Sequence, residues 1–157
     1  DGIAVIQVAE SATNEVANVL KRMRELAVQS SSETLESTER AYIQTEYTQL
    51  HSEIDRIADV TEFNGINLTN AANTTMNVQV GMYNTTDDRV AVSLGDISTS
   101  GTSGLNLQTG SVGLGTVASA QAAIDRLDAA LDTVNDYRST YGAVQNRLES
   151  AIRSLDT

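Results

Sequence analysis

From Val5, apolar residues recur at Ala9, Ala12, Val16, Val19, Met23 and Leu26, in steps that alternate four and three. That spacing predicts a helix carrying a heptad seam. Three serines, Ser30 to Ser32, interrupt it. The segment "SSSETLESTER" then offers Ser or Thr caps followed by acidic residues, the chemistry of a helix N-terminus, so a second helix is predicted to begin near Leu35. Its seam reads Ile43, Tyr47, Leu50, Ile54, Ile57 and Thr61. It is predicted to end before "EFNGINL", where Asn64-Gly65 tolerates positive φ.

The period then changes. In "MNVQVGMY" the apolar residues Met76, Val78 and Val80 alternate by two, as do Val90, Val92 and Leu94 in "DRVAVSL". With the turn-like "NTTDD" between them, the two runs predict a β-hairpin. From Gly95 to Gly115 the composition is Gly, Ser, Thr and Asn with scattered Leu, which predicts an irregular, least ordered connection that packs its few apolar residues weakly. After Thr116 a long helix is predicted from Ile124, Leu127, Leu131, Val134, Tyr141, Leu148, Ile152 and Leu155. Arg138 and Gln145 interrupt its seam, and Gly142 weakens it by up to about 1 kcal/mol relative to Ala. About forty helical residues span about 60 Å, which makes the predicted molecule a rod.

The expected fold is therefore mainly α: an elongated antiparallel helical bundle or coiled-coil rod with a small β-hairpin. It is read as one domain over residues 1–157, with helices over 1–62, a turn and hairpin over 63–95, the connection over 96–115 and the last helix over 116–157. Both ends fall inside helical patterns without caps, so the chain reads as a fragment of longer terminal helices.

Composition narrows the chemistry. Among 157 residues there is no Trp, one Phe (Phe63) and five Tyr, so the core must be built from Ala, Val, Ile and Leu. Cysteine is absent, which removes disulfides, thiolate nucleophiles and Cys-based metal sites. A formal net charge of −11 argues against phosphate binding, so nucleic acid is not an expected partner. No apolar run is long enough to span a membrane, and "DGIAVIQVAE" lacks the basic start of a signal peptide. His51 is the single histidine. It is read at a solvent-side position from which neither a triad nor a His-rich metal site can be built. Asp87-Asp88 reads as solvated charge. No catalytic, cofactor or metal site is expected, and the chain is not read as an enzyme. Tyr137, Arg138 and Tyr141 read as core packing rather than a base-stacking platform. Asn67-Leu68-Thr69, Asn73-Thr74-Thr75 and Asn84-Thr85-Thr86 match the N-glycosylation pattern.

Four stretches, "LKRMRELAVQSS", "EIDRIADVTEFNGINL", "MNVQVG" and "YRSTYGAVQNRLESAIRSL", resemble bacterial flagellin in this order and spacing. The resemblance covers nearly the whole chain. It implies the D1 region, a helical rod with a small hairpin, without the D0 termini and with little or nothing of the variable outer domains. It further implies a secreted structural subunit of the flagellar filament, serving motility. The implied partners are other flagellin subunits, an export chaperone, the filament cap and Toll-like receptor 5. The isolated fragment is expected to be monomeric. A hook-filament junction protein, which shares the helical ends and the N-x-G turn, is the alternative, and "RELAVQ" with "QNRLESAI" favours flagellin.

The stretch "LKRMRELAVQ" packs three cations into ten residues of an acidic chain. From chemistry alone it reads as a solvated helix surface, with Arg24 and Glu25 in local ion pairs. At about 100° per residue, Arg22, Leu26 and Gln29 share a stripe beside the Val19–Met23 seam. The resemblance turns that stripe into a receptor and subunit contact, because Arg22, Leu26 and Gln29, with Ile43 and Glu46 of the second helix, match the pattern that Toll-like receptor 5 recognises. Lys21 departs from the Gln common at its position. "QNRLES", Gln145 to Ser150, reads as an ordinary polar face, part of which the resemblance places near the first helix.

Overall fold

The computed structural model describes residues 2–63, 65–69, 74–79, 89–99, 104–107 and 113–156. Three helices form its frame: α1 (Gly2–Ser30), α2 (Ser37–Val60) and α3 (Val117–Asp156). α1 lies between the other two, which widens its apolar arc beyond a heptad seam. Ile6, Ala17, Leu20 and Ala27 are buried beside Val5, Ala9, Ala12, Val16, Met23 and Leu26. α3 faces it with Ala120, Ala123, Leu127, Ala130, Val134, Tyr141, Val144 and Leu148. Alanine at three of those positions lets the helix backbones approach closely. Ile124 and Leu131, read as seam residues, are only partly buried at its flank. Ile152, also read as seam, is 44% exposed, because the apolar partners of α3 run out beyond Leu148.

The helices run antiparallel about α1. Ser30 Oγ donates to the Leu114 carbonyl at 3.0 Å at one end, while Ile6, Tyr141 and Leu148 share a second core cluster at the other. The α1–α2 junction departs from the expected Ser or Thr cap. The residue preceding α2 is Glu36, in extended conformation and without a side-chain cap bond. The Arg40 guanidinium reaches back instead and donates to the carbonyls of Ser30 and Ser32, satisfying acceptors that the end of α1 leaves open.

At the far end of α2 two short strands, β1 (Glu62–Phe63) and β2 (Ile66–Asn67), pair antiparallel with Phe63 opposite Ile66. Gly65 has φ 81°, the left-handed conformation anticipated for the Asn-Gly pair. This turn aims Asn67 at α2. Its Nδ2 donates to the carbonyls of Ala58 at 3.1 Å and Asp59 at 2.8 Å, and its Oδ1 accepts from Thr69 N–H. Asn67 thus closes the helix, and a sugar on that nitrogen would displace the cap. Asn73 and Asn84 of the other two glycosylation patterns lie outside the described residues.

The predicted hairpin pairs β3 (Thr74–Gln79) with β4 (Arg89–Leu94), antiparallel, from Thr74 opposite Leu94 to Gln79 opposite Arg89. Val80 and the turn with Asp87 and Asp88 fall outside the described residues. Val90 and Leu94 are buried in the cluster of Ile6 and Tyr141. At the end of β4 the Gly95 N–H donates to Tyr141 Oη at 2.9 Å, and a Cβ on Gly95 would collide with the Tyr137 ring. Tyr137 and Tyr141 are therefore packing residues. Tyr141→Phe strands a buried N–H and is expected to cost about 1–3 kcal/mol, read as a lower denaturation midpoint at unchanged helix content.

The segment after β4 corrects the sequence reading most. The 96–115 connection was expected to be the least ordered and weakly packed part, yet among its described residues Ile97, Leu107 and Leu114 are fully buried and Leu105 is 5% exposed. Three helices leave a groove on the α2 side, and this strap fills it. Asp55 accepts from Thr99 N–H at 2.8 Å and Thr99 Oγ1 at 2.7 Å. Gln44 Oε1 accepts from Leu114 N–H at 2.6 Å. His51 donates its Nε2–H to the Leu107 carbonyl. His51 is consequently buried, not solvent-facing, because the strap lies over a face of α2 that a loosely packed connection would leave open. Gln44, His51 and Asp55 fall at i, i+7 and i+11, one stripe of α2.

Burial pushes the Tyr47 phenol up to about 12 and raises Tyr141 in the same direction. A raised phenol pKa means that the unfolded chain loses its proton first. Stability is fully present below pH 10, the unfolded value, and falls as pH rises from about 10 towards 12. Denaturation midpoints measured between pH 8 and 11.5 are expected to hold and then drop.

Candidate contact surface on the first two helices

Two of the three cations of "LKRMRELAVQ" are spent on joining helices. The Arg22 guanidinium grips Glu46 of α2 with two bonds, Nε to Oε2 at 2.7 Å and Nη2 to Oε1 at 3.1 Å. Arg24, two residues on and turned the other way, holds Asp128 of α3 through Nε at 2.6 Å and Nη2 at 3.4 Å. One central helix thereby bridges to both neighbours. Glu25 stands 3.8 Å from Arg22 and completes a small network. Of the local ion pairs that the sequence suggested, Glu25 forms one with Arg22, whereas Arg24 reaches Asp128 across the antiparallel interface instead. Lys21 is exposed and takes no part.

Hydrogen bonding from Arg22 lowers the Glu46 carboxyl below its ordinary range, and the Arg22 guanidinium is raised by the same bond. A lowered carboxyl pKa means that this bridge is complete above the unfolded value and is lost as pH falls through the folded one. Both side chains are nearly half exposed, so the bridge adds little stability against water and salt. Arg22→Ala should move the denaturation midpoint far less than truncation of a core leucine, and 1 M salt should erase most of that difference.

The five residues grouped as contacts separate in the structure. Arg22 and Glu46 are brought together on an exposed face, Gln29 is exposed further along α1, and Ile43 is partly buried. Tyr42, 72% exposed and one turn before Glu46, adds an aromatic side chain that pattern reading passed over. Leu26 is 1% exposed and belongs to the central core cluster with Met23, Leu114 and Leu127. It offers no surface to a partner, because α1 is covered on both flanks at that level.

Arg56 with Val60 and Ile57, across from Ala4, Val8 and Glu15, lines an open groove of about 620 Å³ between α1 and α2. No group of His, Asp or Glu able to hold a metal occurs among the described residues, and no described helix is long and apolar enough to cross a membrane. The surface is one of paired charges, hydroxyls and scattered apolar side chains, suited to contact rather than bond making.

Residues 1–74 match the family model for the bacterial flagellin N-terminal helical region. The flagellin of Halalkalibacterium halodurans is 40% identical over 156 residues, covering 99% of this chain and 56% of that protein. The crystal structure of Bacillus cereus flagellin superposes with a TM-score of 0.79 at 30% identity, over 97% of this chain and 84% of that one. The chain belongs to the flagellin family. A second relative, the flagellar filament 30.7 kDa core protein of Treponema maltophilum, is 36% identical over 99% of the chain and 57% of its own length. The chain thus spans a little over half the length of these curated flagellin relatives. The flagellin match runs through the strap and α3 as well as the N-terminal helices, so the four motifs that carried the resemblance belong to one continuous likeness.

Proposed function

We propose that this chain is the D1-like helical core of a flagellar filament subunit, a secreted structural protein of bacterial motility that performs no catalysis. The observation that carries the reading is continuity: 99% of the chain aligns with proteins named as flagellins or flagellar filament core proteins. The shape supports it. A rod with a 40-residue helix along its length presents long faces to neighbours, and repeated weak contacts accumulate by avidity where no single interface is strong. Tyr42 beside the Arg22–Glu46 pair has the aromatic and cationic character of interface hot spots. In this reading the partners are other subunits, the export chaperone and the filament cap, and the location is the bacterial flagellum.

The same face is the proposed contact for Toll-like receptor 5, through Arg22, Gln29 and Glu46 with Ile43 at its edge. Leu26 supports it only from beneath, as packing. Arg22→Ala is expected to weaken binding of the receptor ectodomain by at least about fivefold, the loss of about 1 kcal/mol that only a minority of interface residues exceed, with helix content unchanged. Equal binding by the parent and the variant would leave Arg22 a helix bridge alone.

The filament reading is tested by a chimera of the Halalkalibacterium halodurans flagellin in which this chain replaces the aligned segment. Expressed in place of the native flagellin, it should give filaments visible by electron microscopy. Export of folded chimera without filaments would overturn the proposal.

A further inference from the structure

An open cleft of about 440 Å³ between α1 and α3 is lined by Gln7, Glu10, Ser11, Asn14, Arg138 and Gln145. All six side chains are polar, and among the described residues none of them forms a side-chain hydrogen bond or ion pair. Arg138 is the informative member. It is partly buried yet has no acceptor, whereas Arg22 and Arg24 each hold a carboxylate and Arg40 holds backbone carbonyls. Partial burial strips water from a guanidinium without returning a partner. Its donors are open to an acceptor from outside the cleft.

Glu10 shares the cleft without pairing to Arg138, so the incoming segment must bring donors as well as carboxylates. The turn joining α1 to α2, "SSETLESTE" over residues 31–39, has both. Glu33, Glu36 and Glu39 are exposed and unpaired among the described residues, and Ser37 and Thr38 are exposed hydroxyls. This turn cannot reach the cleft of its own molecule. Residues 10 and 33 are separated by about 35 Å along the α1 axis at 1.5 Å per residue.

We propose that the α1–α2 turn of one copy docks in the α1–α3 cleft of the next, placing a glutamate on Arg138 and hydroxyls on Glu10. The contact joins two different patches, so it is head-to-tail, the kind of contact from which an open filament can be built. It rests on the filament reading and gives that reading a specific polar contact.

The test is a charge exchange in the chimeric flagellin. Arg138→Glu should reduce filament yield at least tenfold while circular dichroism of the soluble chain stays unchanged, since Arg138 has no side-chain bond among the described residues. Adding Glu33→Arg and Glu36→Arg to that variant should restore filaments. Normal assembly by Arg138→Glu, or failure of the turn reversals to rescue it, overturns the proposal. Failure of the unsubstituted chimera to assemble would instead remove the filament reading on which it rests.

Discussion

Leu26→Ala is expected to destabilise the chain by about 2–5 kcal/mol, the cost of emptying a leucine site in a packed core. Two arguments from sequence place Leu26 differently. Heptad spacing puts it in the seam, and likeness to flagellin puts it on a contact stripe with Arg22 and Gln29. The structure gives it 1% exposure within the central cluster. The central position of α1 means that its flanks are covered by α2 and α3. Urea denaturation followed by circular dichroism measures the effect. A loss below about 0.5 kcal/mol, the range of ordinary surface substitutions, would return Leu26 to the surface.

Leu107→Ala is expected to cost a similar amount, about 2–5 kcal/mol, although it lies in a stretch whose composition reads as loose connection. Its side chain is fully buried and its carbonyl accepts from His51. Truncation removes one apolar anchor from a strap that Ile97, Leu105 and Leu114 also pin, and whose backbone side chains of α2 bind, Asp55 at Thr99 and Gln44 at Leu114. Hydrogen exchange at Thr99 and Leu114 should accelerate alongside the fall in stability. A variant that is as stable and as protected as the parent would show that the strap merely covers the bundle without closing it.

The helices were legible because their burial is local and periodic. Val5 through Leu26, Ile43 through Ile57, and Leu127 through Leu148 repeat at helical spacing whatever packs against them. The width of the α1 arc was not legible, since Ile6, Ala17 and Leu20 have meaning only when a second partner helix is known. The strap was hidden for a related reason. Its order comes from Gln44, His51 and Asp55, residues more than forty positions away from the backbone groups they bind, and Gly, Ser and Thr composition carries no trace of that. His51 was misplaced by the same omission. The Ser-rich junction offered several caps, and the end of α1 was closed by Arg40 instead, a long side chain whose reach no local motif encodes.

The ion pairs of the cationic stretch are legible in the sequence only in part. Arg22 and Glu46 were both singled out, and an antiparallel pairing of α1 with α2 across a short turn is enough to bring them together. Arg24 and Asp128 are 104 residues apart, and only the return of α3 along α1 unites them. An acidic protein gathers cations here because the central helix faces carboxylates on both sides. Its two arginines neutralise them, and the Arg22 bridge, half exposed, also forms the proposed surface for partners.

Helical reconstruction of filaments assembled from the chimeric flagellin tests the central proposal most directly. In those filaments α1 and α3 are expected to lie along the filament axis within its wall, with the Arg22–Glu46 face against a neighbouring subunit and no partner side chain reaching Leu26. Filaments in which residues 2–156 project outward, with Arg22, Tyr42 and Glu46 facing solvent, would contradict it.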